Sequence, residues 1–182
     1  MRRFTEGFHG YAFAVLLCLA IVGVLLLIRP IQAPEHIPKV DYTISLANVR
    51  RAAPYEVRVP KAVPAGWVPT SSTVETSPHV TWRLGFATAR RSHAMLAQSD
   101  EPGHEFANRM ANSDKNTGSR QIGGATWQER FRPDKKQRSL VSIGPDVTVV
   151  VTGLAGWDEL AQLAATLQPL PRPTAAPSPA AS

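Results

Sequence analysis

The chain has 182 residues, room for one domain of ordinary size. Its 43% hydrophobic share excludes a wholly disordered protein, and its net charge of +6 leaves anionic partners open. The lone cysteine, Cys18, excludes an internal disulfide framework and a cysteine-based zinc cluster.

Residues 1–10 read as a short N-terminal segment carrying Arg2 and Arg3. Tyr11 to Ile28 then holds 17 apolar residues in 18, broken only by Gly23. As a helix this run is roughly 27 Å long, close to the hydrocarbon thickness of a bilayer, and it has no polar face. The run predicts a transmembrane helix. The only small-x-small site nearby would be Ile31-Gln32-Ala33, where Ile31 is too bulky, so the helix is expected to stay as an uncleaved signal anchor. Arg2 and Arg3 favour a cytoplasmic N-terminus, which puts the C-terminal part outside the plasma membrane. Residues 29–40 contain three prolines and read as a stiff stalk.

Residues 41–168 are the expected folded body, with a net charge of +3 from 15 basic and 12 acidic residues. Asp41 is placed to cap a helix that Pro54 ends. Tyr55 to Val59 alternates as a strand. Trp67, in a proline-punctuated loop, is expected to plug the edge of the core. Ser71–Glu75, Val80–Ala87 and Ala94–Ser99 read as consecutive strands, the second with strict period-two alternation of Val80, Trp82, Leu84 and Phe86. Asp100 is placed to cap a helix to about Ala111, and Asn112–Ser119 reads as a polar loop. Trp127–Arg132, Ser139–Ile143 and Val147–Thr152 read as three more strands. A final amphipathic helix carries Leu160, Leu163, Ala164 and Leu167. Residues 169–182, with five prolines and four alanines, read as a disordered tail.

Mostly hairpin connections make antiparallel sheet. The expected fold is α+β, an antiparallel sheet with helices packed on one face. At an offset of 45, Thr81-Trp82 matches Thr126-Trp127, Arg90-Arg91 matches Lys135-Lys136, and Met95-Leu96 matches Leu140-Val141. Two related ββα units would account for this, as would chance similarity between two amphipathic hairpins.

An N-terminal anchor, Pro64-Ala65-Gly66-Trp67, Thr81-Trp82-Arg83-Leu84-Gly85-Phe86, Gln98-Ser99-Asp100, Thr126-Trp127, and Val147 to Gly153 before a short helix form a pattern over residues 11–168. It resembles an actinobacterial, membrane-anchored family known as domain of unknown function number 4245. The resemblance implies an envelope protein with one membrane helix and carries over no catalytic residues. The proline-rich tail goes beyond the family's pattern.

No G-x-S-x-G, phosphate-loop, G-x-G-x-x-G or H-E-x-x-H motif is present, so no catalytic residue, metal ligand or cofactor is assigned. His79, His93 and His104 are spaced unlike local metal ligands. Asp100, Glu101 and Glu105 suit a helix N-terminus. The concentrated anomaly is basic: Arg130, Arg132, Lys135, Lys136 and Arg138 surround Asp134, and Arg90 and Arg91 mark the matching hairpin tip. These seven are the candidate contacts for an anionic lipid head group or wall polymer. A domain outside the cell makes nucleic acid a poor partner. The reading is a non-catalytic envelope module binding a lipid, wall polymer or partner protein. An accessory subunit of a membrane-protein complex, or an enzyme with an unrecognised site, are the alternatives.

Overall fold

The computed structural model describes residues 15–23 and 39–171. The chain forms two units, Met1–His36 and Ile37–Ser182. In the first, residues 15–23 are helical (α1), with Val15, Leu16, Leu17, Leu19, Ile21 and Val22 each at least half exposed. Among the described residues, no helix is long and apolar enough to cross a membrane. The rest of the expected 11–28 span lies outside the described residues, as do residues 1–10, nearly all of the stalk, and 172–182.

The second unit holds a seven-stranded antiparallel sheet built from β2 (Val68–Glu75), β3 (Thr81–Ala87), β4 (His93–Ser99), β5 (Asn116–Ile122), β6 (Ala125–Arg132), β7 (Gln137–Ile143) and β8 (Thr148–Gly153). The spatial order is β2-β3-β4-β8-β7-β6-β5. β8, with every residue buried, is the central strand. A separate two-stranded sheet pairs β1 (Val57–Pro60) with β9 (Leu167–Leu170). Among the described residues three helices complete the unit: α2 (Thr43–Ala52), α3 (Gly103–Ala111) and α4 (Trp157–Ala165).

Period-two alternation sorts the strand side chains onto two faces. On one face, Trp82, Leu84, Phe86, Leu96, Leu140, Val149 and Val151 pack with Val49 of α2, Leu160 and Leu163 of α4, and Val57 and Val59 of β1. On the other, Ala97, Val141 and Val150 pack against Phe106, Ala107, Met110 and Ala111 of α3. The α+β antiparallel architecture is therefore present, but the helices cover both faces rather than one. The reason is visible in β4, β7 and β8, which carry apolar residues at consecutive positions and so need cover on each side.

The ungapped offset of 45 does not map the two hairpins face for face. The offset of 45 carries Trp82 to Trp127, both on the α4 face, yet it carries Leu96 of that face to Val141 of the α3 face. It also carries α3 onto β8. What the hairpins share is local: alternation led by a tryptophan and the same turn geometry.

Several element boundaries also differ from expectation, among them the start of α2, where Tyr42 and not Asp41 is the N-cap, and Leu167, which lies in β9 and not in the last helix. Asp100 does not cap α3, which starts at Gly103; its carboxylate instead accepts from the Val80 N–H at 2.7 Å. The expected 112–119 loop gives way to β5 at Asn116. Pro169 and Leu170, expected in the tail, pair with Arg58 and Val57.

The small sheet is tied to the large one by Gln98, which is fully buried. Its side-chain oxygen accepts from the Arg58 N–H and its amide donates to the Arg58 carbonyl, both at 2.7 Å. The Tyr55 hydroxyl adds a bond to the Val80 carbonyl at 2.9 Å.

Candidate functional site

Strands β3, β6 and β8 run one way through the large sheet, so the β3–β4 and β6–β7 turns emerge at the same end. The row Ala94–Gly153–Arg138 marks that end. Three inter-strand spacings separate the tips, roughly 14 Å. Both are type I turns closed by a left-handed residue. Arg91 N–H donates to the Thr88 carbonyl at 3.0 Å, and Lys136 N–H donates to the Pro133 carbonyl at 3.1 Å. Arg91 has φ 56° and Lys136 has φ 51°. This conformation favours glycine or asparagine, and a long basic residue holds it in both turns.

The side chains of Arg90, Arg91, Lys135 and Lys136 are exposed and make no hydrogen bond or ion pair among the described residues. Between the tips, β8 ends at Gly153, where a Cβ would lie 2.1 Å from the His93 carbonyl oxygen. The missing side chain lets the N–H groups of Leu154 and Ala155 both reach that oxygen, at 3.0 and 3.2 Å. Leu154 is thereby held 56% exposed. A shallow hollow of about 310 Å³ joins the two hairpins, with His93, Met95, Lys135, Gln137 and Leu154 in its wall. Partial burial lowers the His93 imidazole from its ordinary pKa.

The other three candidate bases are engaged. Arg130, one strand position away from Phe131, points under α3 and is only 3% exposed. Its guanidinium donates to Asn108 Oδ1 at 2.6 Å, the Ser113 carbonyl at 3.0 Å and Gln128 Oε1 at 3.2 Å. Arg130 is thus a tie between α3 and β6 and, unlike the expectation, no surface contact. Arg132 forms a two-nitrogen bridge to Asp134, which raises the guanidinium pKa and lowers the carboxyl. Arg138 lies over the Phe131 ring, 5.5 Å from its centroid.

Two members of the acidic cluster, Asp100 and Glu101, serve the fold. Glu101 accepts from Arg109 at 2.6 Å and from the Thr81 hydroxyl at 3.0 Å. Burial pulls its carboxyl up, but these bonds and that of Ser99 outweigh it and hold the group below its ordinary range. His79 Nδ1 lies 3.7 Å from Asp100 Oδ1. Among the described residues, no three of His, Cys, Asp and Glu come together in a way that could hold a metal ion.

At the opposite end of the sheet, a larger cleft of about 610 Å³ opens between β1, the β5–β6 and β7–β8 turns, and the C-terminus of α4. Sequence reasoning missed it, because its wall combines positions as distant as Glu56 and Asp146.

The chain matches no curated protein and no solved structure. A family model described as Protein of unknown function (DUF4245) matches residues 3–167, nearly the whole chain. The protein belongs to this DUF4245 family.

Proposed function

We propose that the chain is a membrane-anchored, extracytoplasmic module of the cell envelope, without catalysis of its own, whose basic sheet end lies against an anionic lipid surface. The observation that carries this reading is the convergence of four unpaired cations with the entry point of the chain. Val40, near the start of the described body, donates its N–H to the Pro69 carbonyl at 2.9 Å. Pro69 pairs with Phe86, in the row next to the β3–β4 tip. A chain arriving from an anchor on the N-terminal side would enter at the end that carries Arg90, Arg91, Lys135 and Lys136. Near an anionic surface each such charge contributes about 1 kcal/mol, so four outweigh the loss of free tumbling on an already tethered body. Leu154, exposed between the tips, suits the head-group boundary. The anchor itself is supported by the apolar run 11–28 and by the exposed apolar side chains of α1.

Two measurements test it. An export-dependent reporter fused at Ser182 should be active, and activity of a cytoplasm-only reporter there contradicts the placement. With Cys18 replaced by Ala and Leu154 by Cys, an environment-sensitive dye at position 154 reads the contact in nanodiscs holding the full chain. Its emission should shift to the blue with anionic lipid and not with zwitterionic lipid. The shift should vanish when the four tip residues are changed to Glu. An unchanged spectrum across lipids contradicts the reading.

A further inference from the structure

The cleft at the far end of the sheet combines a buried donor without an acceptor and an unpaired rim of both charges. Trp127 forms part of its wall and is 5% exposed, and its indole N–H is buried with no partner among the described residues. A buried donor left so costs about 1–3 kcal/mol, which an acceptor oxygen recovers once a small shift of the wall uncovers the N–H. Around it stand Glu56, Arg58 and Asp146, exposed and with no side-chain partner among the described residues. Ser142 adds a hydroxyl. The apolar wall comes from residues such as Val149 and Leu167. The volume lies within the range of small-ligand sites.

We propose that this cleft binds a neutral, polyhydroxylated ligand, that is, a carbohydrate. The donor and acceptor inventory decides the class. A purely apolar ligand would desolvate three ionised groups and leave the indole N–H unmet. An anion would meet two carboxylates against one guanidinium. A cation would suit Glu56 and Asp146 but leave Arg58 and the indole facing like charge or nothing. A sugar hydroxyl both donates and accepts. It can give its proton to Glu56 or Asp146 while its oxygen takes one from Trp127 or Arg58, and the C–H faces of the ring pack on the apolar wall. The Arg58 backbone is already fixed by Gln98, so the rim is held in place before a ligand arrives. Free glycan segments and glycolipid head groups share this chemistry. The cleft is remote from the basic tips, so this inference stands or falls separately from the membrane reading.

The test is a titration of the full chain in a detergent without a sugar head group, followed at the four tryptophan indole N–H resonances. Probes are maltotetraose and mannotetraose, vesicles of a neutral galactolipid, and, as controls, inorganic phosphate and a fatty acid. A saturable shift of one indole resonance by a neutral glycan, absent in Trp127→Phe, is the expected result. Glu56→Gln with Asp146→Asn should weaken it about tenfold. Response to the free oligosaccharides assigns a polymer source, and response to the galactolipid alone assigns a head group; both support the class. Replacing the indole by Phe removes an unmet donor from an apolar setting, so that variant should keep its fold. If it does not, the two exposed rim substitutions carry the test. No shift with any neutral glycan at millimolar concentration, or a shift with phosphate or fatty acid alone, overturns the proposal.

Discussion

Gln98 does with one side chain what a strand edge does with its backbone. Its amide satisfies both the N–H and the carbonyl of Arg58 inside the body. Gln98→Leu keeps the volume but leaves two polar groups without partners, so unfolding free energy should fall by about 2–4 kcal/mol, measured by denaturant titration. The tips make the reverse case. A left-handed conformation costs a non-glycine residue roughly 1 kcal/mol, so Lys136→Gly and Arg91→Gly should each stabilise the fold by about 0.5–1 kcal/mol. Both should weaken the lipid contact. Gain in stability with unchanged contact would show that the charges at these strained positions serve no anionic partner. At this scale the sequence revealed the charged tips but not the engagement of Arg130. A count of charges ignores strand parity, and parity puts Arg130 opposite Trp127 and Phe131 and beneath α3.

Elements with strong alternation, such as β3, are legible because every second residue enters the core. β5 was not, since NTGSRQI offers only Ile122 to the interior and reads as a polar loop. β9 was masked because Leu167 continues the period of α4 and Pro169 announces a tail, although an edge strand tolerates proline. Truncation after Pro171 should leave stability unchanged, whereas truncation after Thr166 removes β9 and should lower the melting temperature, read by circular dichroism. Gly153→Ala would drive a Cβ into the His93 carbonyl and should cost about 2–3 kcal/mol by disrupting the end of the β4–β8 pairing. The junction of β3, β4 and α3 should show pH dependence. Because the Glu101 carboxyl is held below its ordinary value of 4.5, its contribution is present above that pH. It is lost as pH falls through the lowered value. Glu101→Gln should flatten the stability profile in that acid window; an identical slope would show that other carboxyls control it.

For the whole molecule, the sheet separates two surfaces: unpaired cations with Leu154 and chain entry at one end, and the Trp127 cleft at the other. Sequence composition located the first, because charge runs are visible in one dimension. It could not locate the second, which forms only when β1 and the β7–β8 turn meet in space. The division of ends is the central claim, and backbone hydrogen exchange on the full chain in nanodiscs tests it most directly. With anionic lipid, residues 88–92 and 133–136 should exchange more slowly than with zwitterionic lipid, the difference shrinking as salt is raised. The segments around Glu56 and Asp146 should not respond. Equal exchange at the tips in both lipids, or protection at the cleft end instead, would contradict the account.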